Sequence, residues 1–410
     1  MEQMVQGITA VPVVAPENRS FSDNSQSLAQ GAQSWPSFLM TAAMTSIAIG
    51  IVWDISWHET IGRDTFWTPA HMAIYLGGVL AGSVGGWLAI KHTFFAGPVA
   101  RDASVGVFGA RAPLGAWVAI WGALAMITSA PFDDWWHNAY GLDVKIISPP
   151  HAVLGLGMFG ISVGSLLLVL SRQNRLAESS SPKGGGLFVY TGGVFVLLGS
   201  VFILEYIFPN QQHGGKFYEV CAIMYPARLV ALSCAGRISW PATRVAAIYM
   251  GFMCVMDWIL VLFPAQPRLA PIFNPVTHMV PLPFPLLLIF PAIAIDLLLQ
   301  KKGEVNGKLR RIGFAILLGA VFLVILLAVQ WVFSKFMISP WANNWFFMGN
   351  RHWGYNIPAG EWQTRYWHLD LSKPEADPLS PAAIVSAFAI ASVSAWLGLF
   401  FGRWMKKVRR

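Results

Sequence analysis

Hydrophobic positions along this chain fall into long unbroken runs, not into the period of 3.6 or 2 that marks half-buried helices and strands. A helix needs about 20 apolar residues to cross the hydrocarbon core of a bilayer. A window of about 19 residues finds eight such runs, at 37–53, 70–91, 112–131, 151–170, 187–208, 280–300, 310–335 and 382–403. Two weaker runs join them: 243–264, interrupted by Arg244 and Asp257, and 217–236, which contains Glu219, Pro226 and Arg228. The pattern predicts an all-α integral membrane protein of about ten transmembrane helices.

Composition agrees. Of the 410 residues 55% are hydrophobic and only 12% charged, against about 25% charged in soluble domains, which excludes a water-soluble enzyme. The net charge of +8 does not point to nucleic acid, because no solvated domain gathers Lys and Arg into a patch. Topology accounts for it better. With ten spans and both termini cytoplasmic, most of the 28 Lys and Arg fall in inner loops and in the tail Arg403 to Arg410, as the positive-inside rule requires. Omitting span 217–236 would move the cluster from Lys301 to Arg311 to the outer side. Cys221, Cys234 and Cys254 stand singly, without disulfide or thiolate-metal spacing.

The chain then divides into a flexible N-terminal tail (1–35), a four-helix module (36–171), a five-helix region (187–335), an aromatic-rich outer segment (336–381), and a last helix with a basic tail (382–410). The first 35 residues lack the charged start and apolar core of a cleaved signal peptide.

This topology puts eight of the nine histidines on the outer side. Two outer loops carry one pattern twice. The first runs Asp54, His58, Gly62, Asp64, then Thr68-Pro69-Ala70-His71; the second runs Asp133, His137, Gly141, Asp143, then Ser148-Pro149-Pro150-His151. An Asp and a His four residues apart share a helix face. The hydroxyl residue before proline reads as an N-cap followed by proline at the first helical position, which places His71 and His151 in the first turn of a returning helix. The positive helix end there disfavours protonation of imidazole, and metals require the neutral nitrogen. Each loop thus offers two imidazoles and a carboxylate, a donor set suited to copper, iron or zinc. The expected metal ligands are Asp54, His58 and His71 in one site and Asp133, His137 and His151 in the other. Glu59 and Asp134 are alternative carboxylates. Asp64 and Asp143 are candidates to support a histidine or deliver a proton.

The stretch Trp57-His58-Glu59-Thr60-Ile61-Gly62-Arg63-Asp64-Thr65, continuing to Phe66-Trp67-Thr68-Pro69-Ala70-His71, resembles the metal-binding segment of the C subunit of copper membrane monooxygenases, the particulate methane and ammonia monooxygenase family. That subunit has an Asp, a His four later and a His thirteen after that as copper ligands. The resemblance implies that Asp54, His58 and His71 bind copper, that dioxygen is used to oxidise a small apolar substrate, and that partner subunits assemble with the chain. The second motif is similar to the subunit's other proposed site, although Asp133 stands where the family has Asn. The resemblance covers residues 35–170; the six spans after residue 171 have no counterpart.

Two other classes fit the same histidines. His71 and His151 could ligate a haem from both sides in an electron-transfer protein, or the outer histidines could capture copper for a partner without catalysis. The remaining outer histidines, His213, His278, His352 and His368, read as interfacial anchors. The segment 336–381 reads as an aromatic belt or a cap over the metal loops. Glu205, Arg228, Asp257 and Asp296 should face the bundle interior, with Arg228 paired to Glu205 or Asp257. The expected surroundings are lipid and either monooxygenase-type subunits or further copies of the chain, with the metal loops at the outer face.

Overall fold

A computed structural model describes residues 34–62, 64–141, 148–178, 185–266, 277–303, 307–349 and 377–410. Within them the regular structure is mostly helical, with one small antiparallel hairpin, β1 (Val105–Val107) with β2 (Ala110–Ala112). The helices are α1 (Trp35–Thr60), α2 (Pro69–Phe94), the short α3 (Pro98–Asp102), α4 (Leu114–Tyr140), α5 (Pro149–Glu178) and α6 (Gly185–Val201). After these come α7 (Gly215–Ala235), α8 (Pro241–Leu260), α9 (Ile289–Lys302), α10 (Lys308–Met337) and α11 (Pro381–Met405). Among the described residues eight of these are long and apolar enough to cross a membrane: α1, α2, α4, α5, α7, α8, α10 and α11.

The helices form two groups. In the first, α1 pairs with α2 and α4 with α5, while α2 lies against α4; in the second, α7 pairs with α11, and α10 bridges α11 and α9. α6 connects the groups by packing on α5 and α8. Lipid tails are as apolar as Leu, so helices in a bilayer associate through close packing of small residues. A side chain on Gly77 of α2 would lie 2.6 Å from the carbonyl oxygen of Ala43 in α1, and one on Gly122 of α4 would lie 2.7 Å from that of Gly157 in α5. Backbone therefore meets backbone in both hairpins.

Two expected spans are shorter than their apolar runs. α6 has 17 residues. The run 280–300 is helical only from Ile289, and α9, with 14 residues, spans about 21 Å, less than the roughly 30 Å hydrocarbon core. The cause is Pro281, Pro283 and Pro285, which alternate along the first part of the run and cannot sit in a helix interior. Residues 279–286 are instead extended and buried. Non-helical backbone at such depth needs protein partners for its amides, and side chains from three helices supply them. The amide of Val280 donates to Thr60 Oγ1 (2.8 Å), that of Leu282 to Asp257 Oδ1 (3.0 Å), that of Leu286 to the Tyr249 hydroxyl (3.3 Å) and that of Leu287 to Gln330 Oε1 (3.0 Å).

These bonds settle the interior ionisable residues. Asp257 serves the extended segment and does not pair with Arg228, whose guanidinium donates to the Met224 carbonyl at 2.7 Å and lies 5.4 Å from the Phe195 ring. The side chain of Glu205 lies outside the described residues. Asp296 accepts from Ser233, from the backbone amides of Ala242 and Thr243, and from the Thr243 hydroxyl, so a carboxylate from α9 caps the N-terminus of α8. His213 is no interfacial anchor: it is buried, its Nε2 3.1 Å from Ser334 Oγ and 3.2 Å from the Trp331 carbonyl. His278 is exposed beside Thr277, and His352 and His368 lie outside the described residues.

Candidate metal centre

Asp54 and His58 occupy the last two turns of α1, one helical turn apart on one face, and His71 sits at the third position of α2. The loop between them closes through Gly62, whose φ of 102° is a conformation that side-chain-bearing residues rarely adopt. That turn sends the chain back toward the helix ends and delivers Asp64. Thr68 stands at the N-cap position of α2, but its hydroxyl accepts from the amide of Thr65 at 2.8 Å and so braces the loop instead of capping the helix.

Four side chains converge. His71 Nε2 lies 2.8 Å from Asp64 Oδ2 and 3.2 Å from Asp54 Oδ1, and His58 Nε2 lies 3.4 Å from Asp64 Oδ2 and 3.8 Å from Asp54 Oδ2. Ligand atoms around one ion with bonds of about 2.0–2.1 Å stand roughly 2.9–3.4 Å apart, so the donors already have nearly that spacing. The His71 contact to Asp54 is close without being aligned as a hydrogen bond, and Asp54 Oδ1 is a buried oxygen with no hydrogen-bond donor. A cation would satisfy it. Asp64, expected to support a histidine or deliver a proton, touches both imidazoles. Asp64 stands outside the spans. Burial works against its ionisation, but hydrogen bonds from His58 and His71 and the positive charge of those rings hold the carboxyl well below the usual carboxylate range.

Glu59 is not brought to this cluster. Its Oε2 is buried without a hydrogen-bond partner.

The second loop repeats the arrangement more loosely. Asp133 Oδ2 lies 3.5 Å from His137 Nε2, and Asp133 Oδ1 lies 3.6 Å from His151 Nε2. Gly141 again carries a positive φ, 84°, at the end of α4. Its carbonyl lies 3.1 Å from His137 Nδ1, so that nitrogen, when protonated, donates to the backbone and turns Nε2 toward Asp133. This is the usual way an outer hydrogen bond orients a metal-binding imidazole. Ser148 does cap its helix, accepting from the amide of His151 at 3.4 Å. Asp134 is drawn off by Asn138 at 3.4 Å, which leaves Asp133 as the carboxylate of this loop. Asp143 lies outside the described residues. Among those described, only Asp54, Asp64 and His71 form a set of three donors mutually within 4.8 Å.

One neighbour was not singled out from sequence. Tyr75 follows His71 by four residues, so it shares that face of α2; the ring centroids are 6.0 Å apart. Phe66, in the loop, packs on Tyr75 with ring centroids 5.2 Å apart. The four-residue interval from His71 was the available signal.

Comparison of the chain with protein-family models, with curated proteins and with solved structures finds no match.

Proposed function

We propose that this chain is a copper-binding membrane protein, the metal-holding component of a copper-dependent monooxygenase that oxidises a small apolar substrate with dioxygen. The observation that carries the reading is the approach of Asp54, Asp64 and His71 to one another at the mouth of a helical hairpin, with His58 beside both carboxylates, repeated in looser form by Asp133, His137 and His151. Nitrogen and oxygen donors without thiolate suit copper and also admit iron or zinc. The resemblance of residues 54–71 to the copper membrane monooxygenase C subunit favours copper.

Bound copper would supply one-electron chemistry with dioxygen. The chain's own residues do the rest. The α1 and α2 helix ends fix the two imidazoles, and Asp64 and Asp54 set the charge and orient the rings. An apolar substrate reaches the mouth from the surrounding lipid. Tyr75, one turn after His71, passes a proton or an electron. The Nε2 atoms of His71 and His151 each face carboxylates of their own loop, which supports two separate ions over a haem held between them. The topology that goes with this reading has ten membrane segments, counting α6 and the extended segment with α9. Both termini lie on the cytoplasmic side, the metal loops lie at the outer face, and partner subunits or further copies of the chain complete the assembly.

Elemental analysis and electron paramagnetic resonance of the purified wild type and of His71→Ala test the reading. Copper should be present in the wild type and reduced by at least one equivalent in the variant. Oxygen consumption with a reductant then separates a monooxygenase component from a protein that only carries copper, which binds metal and consumes nothing above background. Equal copper in both proteins removes the first site.

A further inference from the structure

The last two turns of α1 carry two pairs of polar side chains. Asp54 and His58 face the metal cluster. Ser56 and Thr60, also one turn apart, are offset from that pair by two residues, about 200° around the helix, and so occupy its far side. Both are fully buried. They grip a single residue of the extended segment, 224 and 220 positions further along the chain: Ser56 Oγ donates to the carbonyl of Val280 at 2.6 Å, and the amide of Val280 donates to Thr60 Oγ1 at 2.8 Å. The Thr60 hydroxyl donates in turn to the Ser56 carbonyl at 2.6 Å. Val280 precedes Pro281, which disfavours a helical conformation there, and α1 supplies partners for both of its backbone groups.

The near side of α1 is held as well. Gly50, one turn before Asp54 on the same face, lets α1 approach α2 so closely that a side chain there would lie 2.9 Å from the carbonyl of Ala70, the neighbour of His71. The end of α1 therefore stands between the backbone of α2 in front and Val280 behind. The extended segment is fastened in its turn to Asp257 and Tyr249 of α8 and to Gln330 of α10. The second helix group thus fixes how far the end of α1 can turn or tilt away from His71, although it contributes no side chain to the cluster itself.

We propose that Ser56 and Thr60 are positioning residues for the first metal centre: by clamping Val280 they press Asp54 and His58 toward His71 and set the geometry in which the donors receive an ion. The inference rests on the metal reading of that cluster. It gives the part of the chain beyond residue 170, which the copper-subunit resemblance does not cover, a role at the metal.

Two measurements on the full-length protein in detergent test the clamp. In the metal-free protein, hydrogen exchange over residues 54–61 and 279–282 should be faster in Ser56→Ala/Thr60→Val than in the wild type, and unchanged in Thr60→Ser, which keeps the hydroxyl. Copper(II) titrated into the same proteins should bind about 10-fold more weakly to the double variant and give an electron paramagnetic resonance spectrum with altered g and hyperfine values, whereas Thr60→Ser should retain the wild-type spectrum. Ser394→Ala removes a buried hydroxyl that serves α7 and α11, remote from the clamp, and should change neither readout at the cluster, which separates positioning from general loss of stability. Unchanged exchange over residues 54–61, or a copper spectrum and affinity equal to the wild type in the double variant, overturns the proposal. Absence of copper from the wild type defeats the proposed function instead, and exchange over residues 54–61 then decides the clamp by itself.

Discussion

Asp64 and Asp54 each lie beside both imidazoles, and Asp64 makes the closer contacts, 2.8 and 3.4 Å against 3.2 and 3.8 Å, so its charge weighs more in the first cluster. Asp64→Asn keeps the size and most hydrogen bonding but removes the charge. It should weaken metal binding about 10- to 100-fold, read as bound metal after dialysis against a graded chelator, whereas Glu59→Gln should leave metal content unchanged. In the metal-free protein the pH dependence follows from the lowered Asp64 carboxyl. Its folded-state value lies below the ordinary value of about 3.9, so its stabilisation is complete above that pH and declines as pH falls through it. Asp54, His58 and His71 were legible in the sequence, because helical spacing and a Thr-Pro helix start fix where those side chains emerge. Asp64 was legible as a candidate to support a histidine, but its approach to both imidazoles was not. Its direction depends on the positive φ of Gly62, which a count of residues along a loop does not reveal, and Gly62→Ala should cost about 1 kcal/mol and loosen metal binding with it.

Helices α4 and α5 meet backbone to backbone at Gly122 and Gly157, so a larger residue has nowhere to go. Gly122→Leu should separate the hairpin, lower the unfolding temperature, and disturb the Asp133, His137 and His151 loop while leaving the first cluster's metal in place; metal stoichiometry and thermal unfolding check both effects. The extended segment 279–286 carries the opposite lesson. Its run of apolar residues reads as a span because a hydropathy window credits Leu and Phe and ignores what three alternating prolines do to hydrogen bonding. The same prolines reduce the number of amides needing partners, and Thr60, Asp257, Tyr249 and Gln330 serve the amides of Val280, Leu282, Leu286 and Leu287. Gln330→Leu strands the amide of Leu287 and breaks the 2.7 Å bond to Gln212, a loss of about 1–3 kcal/mol visible in chemical denaturation. Such cross-bundle partners come from residues 60 and 330, far apart in the chain, and no local pattern announces them.

Over the whole molecule, membrane character was plain from hydrophobic runs, because burial in lipid demands long apolar segments; six of the eight membrane-length helices lie on clear runs, α7 and α8 lie on the two weaker ones, and the clear runs 187–208 and 280–300 give the shorter α6 and α9. How the helices group was not plain, because lipid-facing and protein-facing sides are equally apolar. His213, buried ahead of α7 against Trp331 and Ser334 of α10, is held below the ordinary imidazole value by burial and by the nearby Lys335, despite the Trp331 carbonyl. The unfolded chain takes up that proton from pH about 6.5 downward, while the folded protein resists. Stability should therefore fall as pH drops below about 6.5, and a His213→Gln variant should show a flatter profile in thermal unfolding between pH 7 and 5. The proline-threaded segment also constrains biogenesis. During synthesis residues 280–287 leave the ribosome before Gln330 exists, so this stretch cannot settle as an inserting helix and has no complete shelter until α10 follows and supplies the partner of the Leu287 amide. Assembly is therefore not a simple march from one end to the other: nascent chains cut short of residue 330 should stay sensitive to protease and be cleared by quality control, even with every earlier span already in the bilayer.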